Sequence, residues 1–116
     1  MKQYETGLRG EALAEQYLLN HGMILLCRRF RGGDGEIDLI MQDAAAVVFV
    51  EVKSRPSSRT GDGLLAITPG KQRRMLHAAQ AYLMERNDFT LQVRFDIVEI
   101  TRDGILHIPN AFIPKV

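Results

Sequence analysis

Two strand-length apolar runs, Glu36 to Gln42 and Val47 to Lys53, stand four residues apart in this chain, and each contains a carboxylate where a hydrophobe belongs. The acids are Asp38, within Gly35-Glu36-Ile37-Asp38-Leu39-Ile40, and Glu51, within Val47-Val48-Phe49-Val50-Glu51-Val52-Lys53. A connection as short as Asp43-Ala44-Ala45-Ala46 implies an antiparallel hairpin. Counting back from that loop sets Gln42 against Val47, Ile40 against Phe49, Asp38 against Glu51 and Glu36 against Lys53. Directly opposed residues share one face with Cβ atoms about 4.5 to 5.5 Å apart, so the two acids converge. A slip of one residue would send them to opposite faces.

Burying a carboxylate costs several kcal/mol unless it is compensated, and like charges opposed across a sheet destabilise it. The pair therefore needs either a shared proton, which raises one pKa, or a cation. Hard divalent ions bind carboxylate oxygens, so the hairpin predicts a Mg²⁺ or Mn²⁺ site at Asp38 and Glu51.

Around the hairpin, hydrophobic spacing predicts a first helix over Gly7 to His21, with Ala14, Tyr17 and Leu18 as its core stripe and Leu8, Ala12 and Leu19 as a second covered patch. Glu11 falls on the border of the apolar face, within reach of the interior. Met23 to Arg29 reads as a strand and Arg31 to Gly35 as a turn. Ser54 to Ile67 reads as a long polar connection, and Thr68-Pro69 opens a second helix to about Arg86, with Met75, Leu76, Ala79, Tyr82 and Leu83 buried. Val93 to Thr101 forms a further strand, Asp103-Gly104 a turn and Ile105 to Ile108 a short edge strand. The expected order is α-β-β-β-α-β-β, one domain over residues 1–116.

The 116 residues carry 46% hydrophobic and 25% charged residues and a net charge of +1, an ordinary globular composition without the overall basic excess of a protein that coats nucleic acid. Distribution modifies this: from Lys53 to Arg74 the chain has Lys53, Arg55, Arg59, Lys71, Arg73 and Arg74 against one acid, Asp62. Lys71, Arg73 and Arg74 lie in the first turns of the second helix, where positive charge opposes the dipole unless an anion is near. No apolar run approaches the roughly 20 residues of a membrane span and the N-terminus lacks a secretory pattern, so a cytoplasmic protein without membrane contact is expected. Cys27, the sole cysteine, is expected to be a small buried hydrophobe. His21, His77 and His107 are expected to be caps or surface residues, and no P-loop or nucleophile elbow is present.

An acid on one strand, then an acid and a lysine two residues apart on the next, suits metal-assisted phosphodiester hydrolysis: carboxylates hold the metal and the lysine orients the nucleophile or stabilises developing charge. The alternative role for Lys53 is an ion pair with Glu36 across the hairpin, and Arg94 and Asp96 read as a structural ion pair. In Asp38 and Glu51-Val52-Lys53 the chain resembles the PD-(D/E)XK nuclease superfamily. It is more closely similar to the YraN-like bacterial family, related to archaeal Holliday junction resolvases, through Gly10-Glu11, Gly35 to Ile40, Phe49 to Arg55, Lys71 and Arg94-Phe95-Asp96.

The resemblance implies a restriction-endonuclease-like core, a mixed sheet flanked by helices, and a third metal ligand at Glu11. One departure is Arg29, where YraN-like chains usually carry asparagine near the end of the first strand. Together these readings give a metal-dependent endonuclease with catalytic Asp38, Glu51, Lys53 and Glu11, acting on DNA (RNA as second choice) gripped by Arg55, Lys71 and Arg74. A preference for branched or flapped DNA follows from the resolvase likeness alone, and a homodimer would help so small a domain span a junction. The alternative is an inactive nucleic-acid-binding or scaffold module, since fold and activity are separable.

Overall fold

Alternating apolar runs of this kind must bury two faces, and the chain does so by placing one helix on each side of one sheet. A computed structural model describes residues 2–55, 67–88 and 92–114, with side chains from Gly7 onward. The elements are α1 (Lys2–Asn20), β1 (Ile24–Gly32), β2 (Gly35–Asp43), β3 (Ala46–Arg55), α2 (Pro69–Glu85), β4 (Val93–Thr101) and β5 (Gly104–Phe112). The five strands are ordered β1-β2-β3-β4-β5, antiparallel except for the parallel β3–β4 pair that α2 connects. This is the mixed α/β architecture and element order expected from the sequence. None of the described helices is long and apolar enough to cross a membrane.

Each helix has its own core. Ala14 and Leu18 of α1 pack with Leu39, Met41, Val48, Val50, Val98 and Ile100. Met75, Ala78, Ala79 and Tyr82 of α2 pack with Ile37, Ile40, Val47, Phe49 and Phe95 on the other side. Burial of each large aliphatic or aromatic side chain contributes roughly 1.5 to 3 kcal/mol, so these two clusters supply the main driving force. The second patch foreseen on α1 is not covered: Leu8, Ala12 and Leu19 are exposed, because the sheet meets only the stripe through Gly10, Ala14, Tyr17 and Leu18.

The hairpin register holds, with Gln42 opposite Val47 and Ile40 opposite Phe49, but Asp43 also pairs with Ala46, leaving a two-residue turn at Ala44-Ala45. Strand β1 runs past the expected stop at Arg29 because Phe30 packs edge-on to Tyr82 at 5.2 Å between ring centroids, and the turn shrinks to Gly33-Asp34. Similarly, β5 is longer than the predicted Ile105–Ile108, and β3 extends through Ser54 and Arg55, previously placed in a connection. Residues 56–66, including Arg59 and Asp62, lie outside the described residues. Helix α2 starts as predicted, Thr68 Oγ1 accepting from the Lys71 N–H at 3.1 Å.

The first turns of α2 rest on the β1–β2 turn. A Cβ on Gly35 would meet the Arg74 carbonyl oxygen and stand 2.7 Å from its carbon, and one on Gly10 would stand 2.5 Å from Ser54 Cβ. Because backbone cannot swing aside as a side chain does, Gly35→Ala is expected to cost about 2 kcal/mol, measured as a lower urea midpoint. A midpoint equal to wild type would show that α2 can shift freely.

Candidate functional site

Side-chain alternation along β2 breaks at Asp38. Ile37 packs on the α2 side and Leu39 on the α1 side although they are two residues apart, which a regular strand does not allow. Between the flanking pairs Arg28↔Leu39 and Phe30↔Ile37, Arg29 of β1 takes a φ of 53°. Non-glycine residues are uncommon in this left-handed region, where asparagine is enriched several-fold. Arginine accepts the conformation here and adds an ion pair, Arg29 Nε to Glu11 Oε1 at 3.0 Å.

The β2–β3 ladder ends at Leu39↔Val50. Past it, the Val52 N–H donates to Asp38 Oδ2 at 2.8 Å, so a carboxylate takes over the acceptor role that the backbone of β2 has given up. Asp38 and Glu51 are thus brought together, as the register predicted, but beyond the end of the ladder rather than as a cross-strand pair within it. Burial first, then the hydrogen bond to Glu51 and its negative charge, pushes the Asp38 carboxyl up to about 8, against the opposing effect of the Val52 N–H. The two carboxyls therefore favour sharing a proton near neutral pH.

Glu51 is 5% exposed, and Lys71 Nζ from the first turn of α2 lies 2.8 Å from its Oε2. Lys71, expected to meet nucleic acid, also reaches into this centre. Lys53 follows Glu51 on the same face of β3 and is half-buried; burial lowers its pKa, with the attraction of Glu51 opposing. It does not find the Glu36 partner foreseen across the hairpin, since Glu36 Oε2 takes Arg31 Nε at 3.1 Å. Beside Lys53 in the parallel ladder stands Glu99, 1% exposed, a further buried acid that sequence reading passed over. Its signal was an acid inside the run Val93 to Ile100.

Glu11 is near enough to Asp38 for its charge to raise that carboxyl further, but Arg29 engages it. Among the described residues no three histidine, cysteine or acidic side chains form a group able to hold a metal ion. The hydrogen-bonded Asp38–Glu51 pair still fits a hard cation by its chemistry, since a dication would replace the proton shared between two adjacent carboxyls.

Two clefts flank the centre. One of about 470 Å³ lies between the β1–β2 turn and α2, lined by Arg31, Lys71 and Arg74 together with Gly32 to Glu36. The other, about 420 Å³, is lined by Glu11, Arg29, Arg31, Glu36, Ile37 and Asp38. Of the three expected backbone-gripping residues, Lys71 and Arg74 share the first cleft, whereas Arg55 sits at the last β3–β4 pair, opposite Thr101.

Other expectations are also revised. Cys27 is only partly buried against the α2 core. His21 caps α1, its Nδ1 2.7 Å from the Tyr17 carbonyl oxygen, and His77 pairs with Asp34. His107, however, is no surface residue: its Nε2 lies 2.7 Å from the fully buried Asp96. Arg94 and Asp96 do form the predicted structural ion pair, at 3.0 Å.

The family model described as "Uncharacterised protein family UPF0102" matches residues 10–100 of the chain. A UPF0102 protein of Saccharophagus degradans is 45% identical over 112 residues, covering 96% of this chain and 95% of its own length. A UPF0102 protein of Geobacter metallireducens is 44% identical over 110 residues, covering 91% and 90%, and one of Persephonella marina is 43% identical over 112 residues, covering 97% of each.

Proposed function

This chain belongs to the UPF0102 family, and we propose that its Asp38–Glu51 centre makes it a metal-dependent nuclease of the PD-(D/E)XK superfamily, hydrolysing phosphodiester bonds in DNA. The observation that carries this reading is the convergence of Asp38, Glu51 and Lys53 where β2 and β3 part. A buried acid held protonated at neutral pH beside a second acid contributes nothing to folding that a hydrophobe would not exceed, and perturbed groups of this kind concentrate at functional sites.

Asp38 and Glu51 would hold Mg²⁺ or Mn²⁺, with Glu11 joining if Arg29 releases it. The bound ion would supply an activated water and neutralise charge developing on the phosphate. Lys53, its ammonium destabilised by burial, would orient that water or give a proton to the departing oxygen. Arg74 and Arg31 line the neighbouring cleft with charges suited to phosphates, which confer affinity without sequence readout.

Cleavage of linear, flapped and four-way DNA with Mg²⁺ or Mn²⁺ tests the proposal. Wild-type protein is expected to cut, whereas Asp38→Ala and Lys53→Ala bind DNA without cutting. Calorimetry should show Mn²⁺ binding that is lost in Glu51→Ala. DNA binding without cleavage under either metal, unchanged by both substitutions, would instead assign the chain to an inactive binding module.

A further inference from the structure

Both acids next to Asp38 carry a basic counter-ion from another element: Lys71 of α2 on Glu51 and Arg29 of β1 on Glu11. The two contacts differ in what surrounds them. Arg29 stands on a left-handed backbone, and its side chain, 46% exposed, lines the cleft of about 420 Å³ together with Glu11 itself. Lys71 has its backbone pinned by the Thr68 cap, but its side chain is one-third exposed and also lines the cleft of about 470 Å³ shared with Arg31 and Arg74. Its four-carbon stem can exchange one position for the other by rotation about side-chain bonds, without any movement of α2.

We propose that Lys71 and the metal ion compete for Glu51, and that the displaced Lys71 ammonium turns into the cleft to bind a phosphate of the substrate. This rests on the metal-centre reading above and adds a positioning and coupling role for one residue. The electrostatics favour the exchange. A dication on the Glu51 carboxylate weakens its hold on the ammonium 2.8 Å from Oε2, since like charges brought close repel wherever water is sparse. In the cleft the other acids are already engaged, Glu36 by Arg31 and Asp34 by His77. An arriving Lys71 therefore adds uncompensated positive charge beside Arg74 and the amino end of α2, the conditions that favour a phosphate. Metal loading thereby prepares the substrate grip, and the two binding events favour one another.

The test is Mn²⁺ titration calorimetry on wild type, Lys71→Met and Lys71→Arg. Removing the competitor is expected to tighten Mn²⁺ binding by about five- to tenfold in Lys71→Met, the scale of a partly screened ion pair. Lys71→Arg keeps the competing charge and should stay within about twofold of wild type by the same measure. Binding detected only in Lys71→Met would support the exchange in its strongest form. Equal or weaker binding by Lys71→Met, with wild type binding normally, overturns the exchange and leaves the metal centre intact. Absence of binding in all three proteins overturns the metal centre and the exchange with it. Circular dichroism melts of each variant establish that the comparison is between folded proteins.

Discussion

Asp38→Asn is expected to raise the melting temperature of the metal-free protein at pH 8 and to abolish cleavage. In the unfolded chain the Asp38 carboxyl titrates near 3.8, and in the folded chain at about 8. Between these values the folded state binds more protons than the unfolded state, so stability is greatest below the unfolded pKa and falls as pH rises through the interval. The slope approaches about 1.4 kcal/mol per pH unit. Asparagine removes the titration while keeping the local bonds: its oxygen accepts from the Val52 N–H and its amide donates to Glu51. A gain of at least about 2 kcal/mol at pH 8, vanishing toward pH 4, is expected from thermal melts in EDTA across that range. Added Mn²⁺ should stabilise wild type by mass action and leave the variant unchanged, and cleavage should fall by at least about 10³-fold. Parallel melting curves for the two proteins would mean that Asp38 is ionised in the fold and would remove the argument for a cation.

That a carboxylate pair existed was legible in the chain because loop length controls hairpin register, and two-residue alternation then places Asp38, Glu51 and Lys53. What surrounds the pair was not legible. Lys71 meets Glu51 across twenty positions of sequence, so only the packing of α2 onto Gly35 reveals the contact. Reading Lys71 through the helix dipole gave the correct conclusion that a negative charge lies nearby, but the charge belongs to the protein. The break at Arg29 and Asp38 was hidden because arginine does not announce a left-handed backbone as asparagine or glycine does. On α1, Leu8, Ala12 and Leu19 have the spacing of a buried stripe, yet a sheet lies on one side only. Periodicity reports which residues share a face, not whether anything covers it.

Asp96→Ala is expected to destabilise the fold by about 3 to 5 kcal/mol, the range for leaving one member of a buried ion pair uncompensated. Asp96 is completely buried. Arg94 donates to both of its oxygens, each at 3.0 Å, His107 lies 2.7 Å away and the Asn110 N–H donates at 2.9 Å. Arg94 Nη1 also reaches Asp43 at 2.9 Å, so one carboxylate ties β4 to the β2–β3 turn and to the irregular stretch of β5, where Asn110 has a φ of 50°. Burial alone would raise the Asp96 pKa, but the bonds from His107, Arg94 and Asn110 outweigh it and hold the carboxyl below its ordinary value. Its contribution is therefore present above the unfolded pKa of 3.8 and lost as pH falls through the folded one. Urea unfolding at pH 7 should show the full deficit of Asp96→Ala, and the gap to wild type should narrow in strong acid; a deficit under about 1 kcal/mol at pH 7 would show the network to be dispensable. The two buried aspartates thus respond to pH with opposite signs. Asp96 has donors for every oxygen and stabilises most when ionised, whereas Asp38 has one backbone donor and a second acid beside it, and is left wanting a cation.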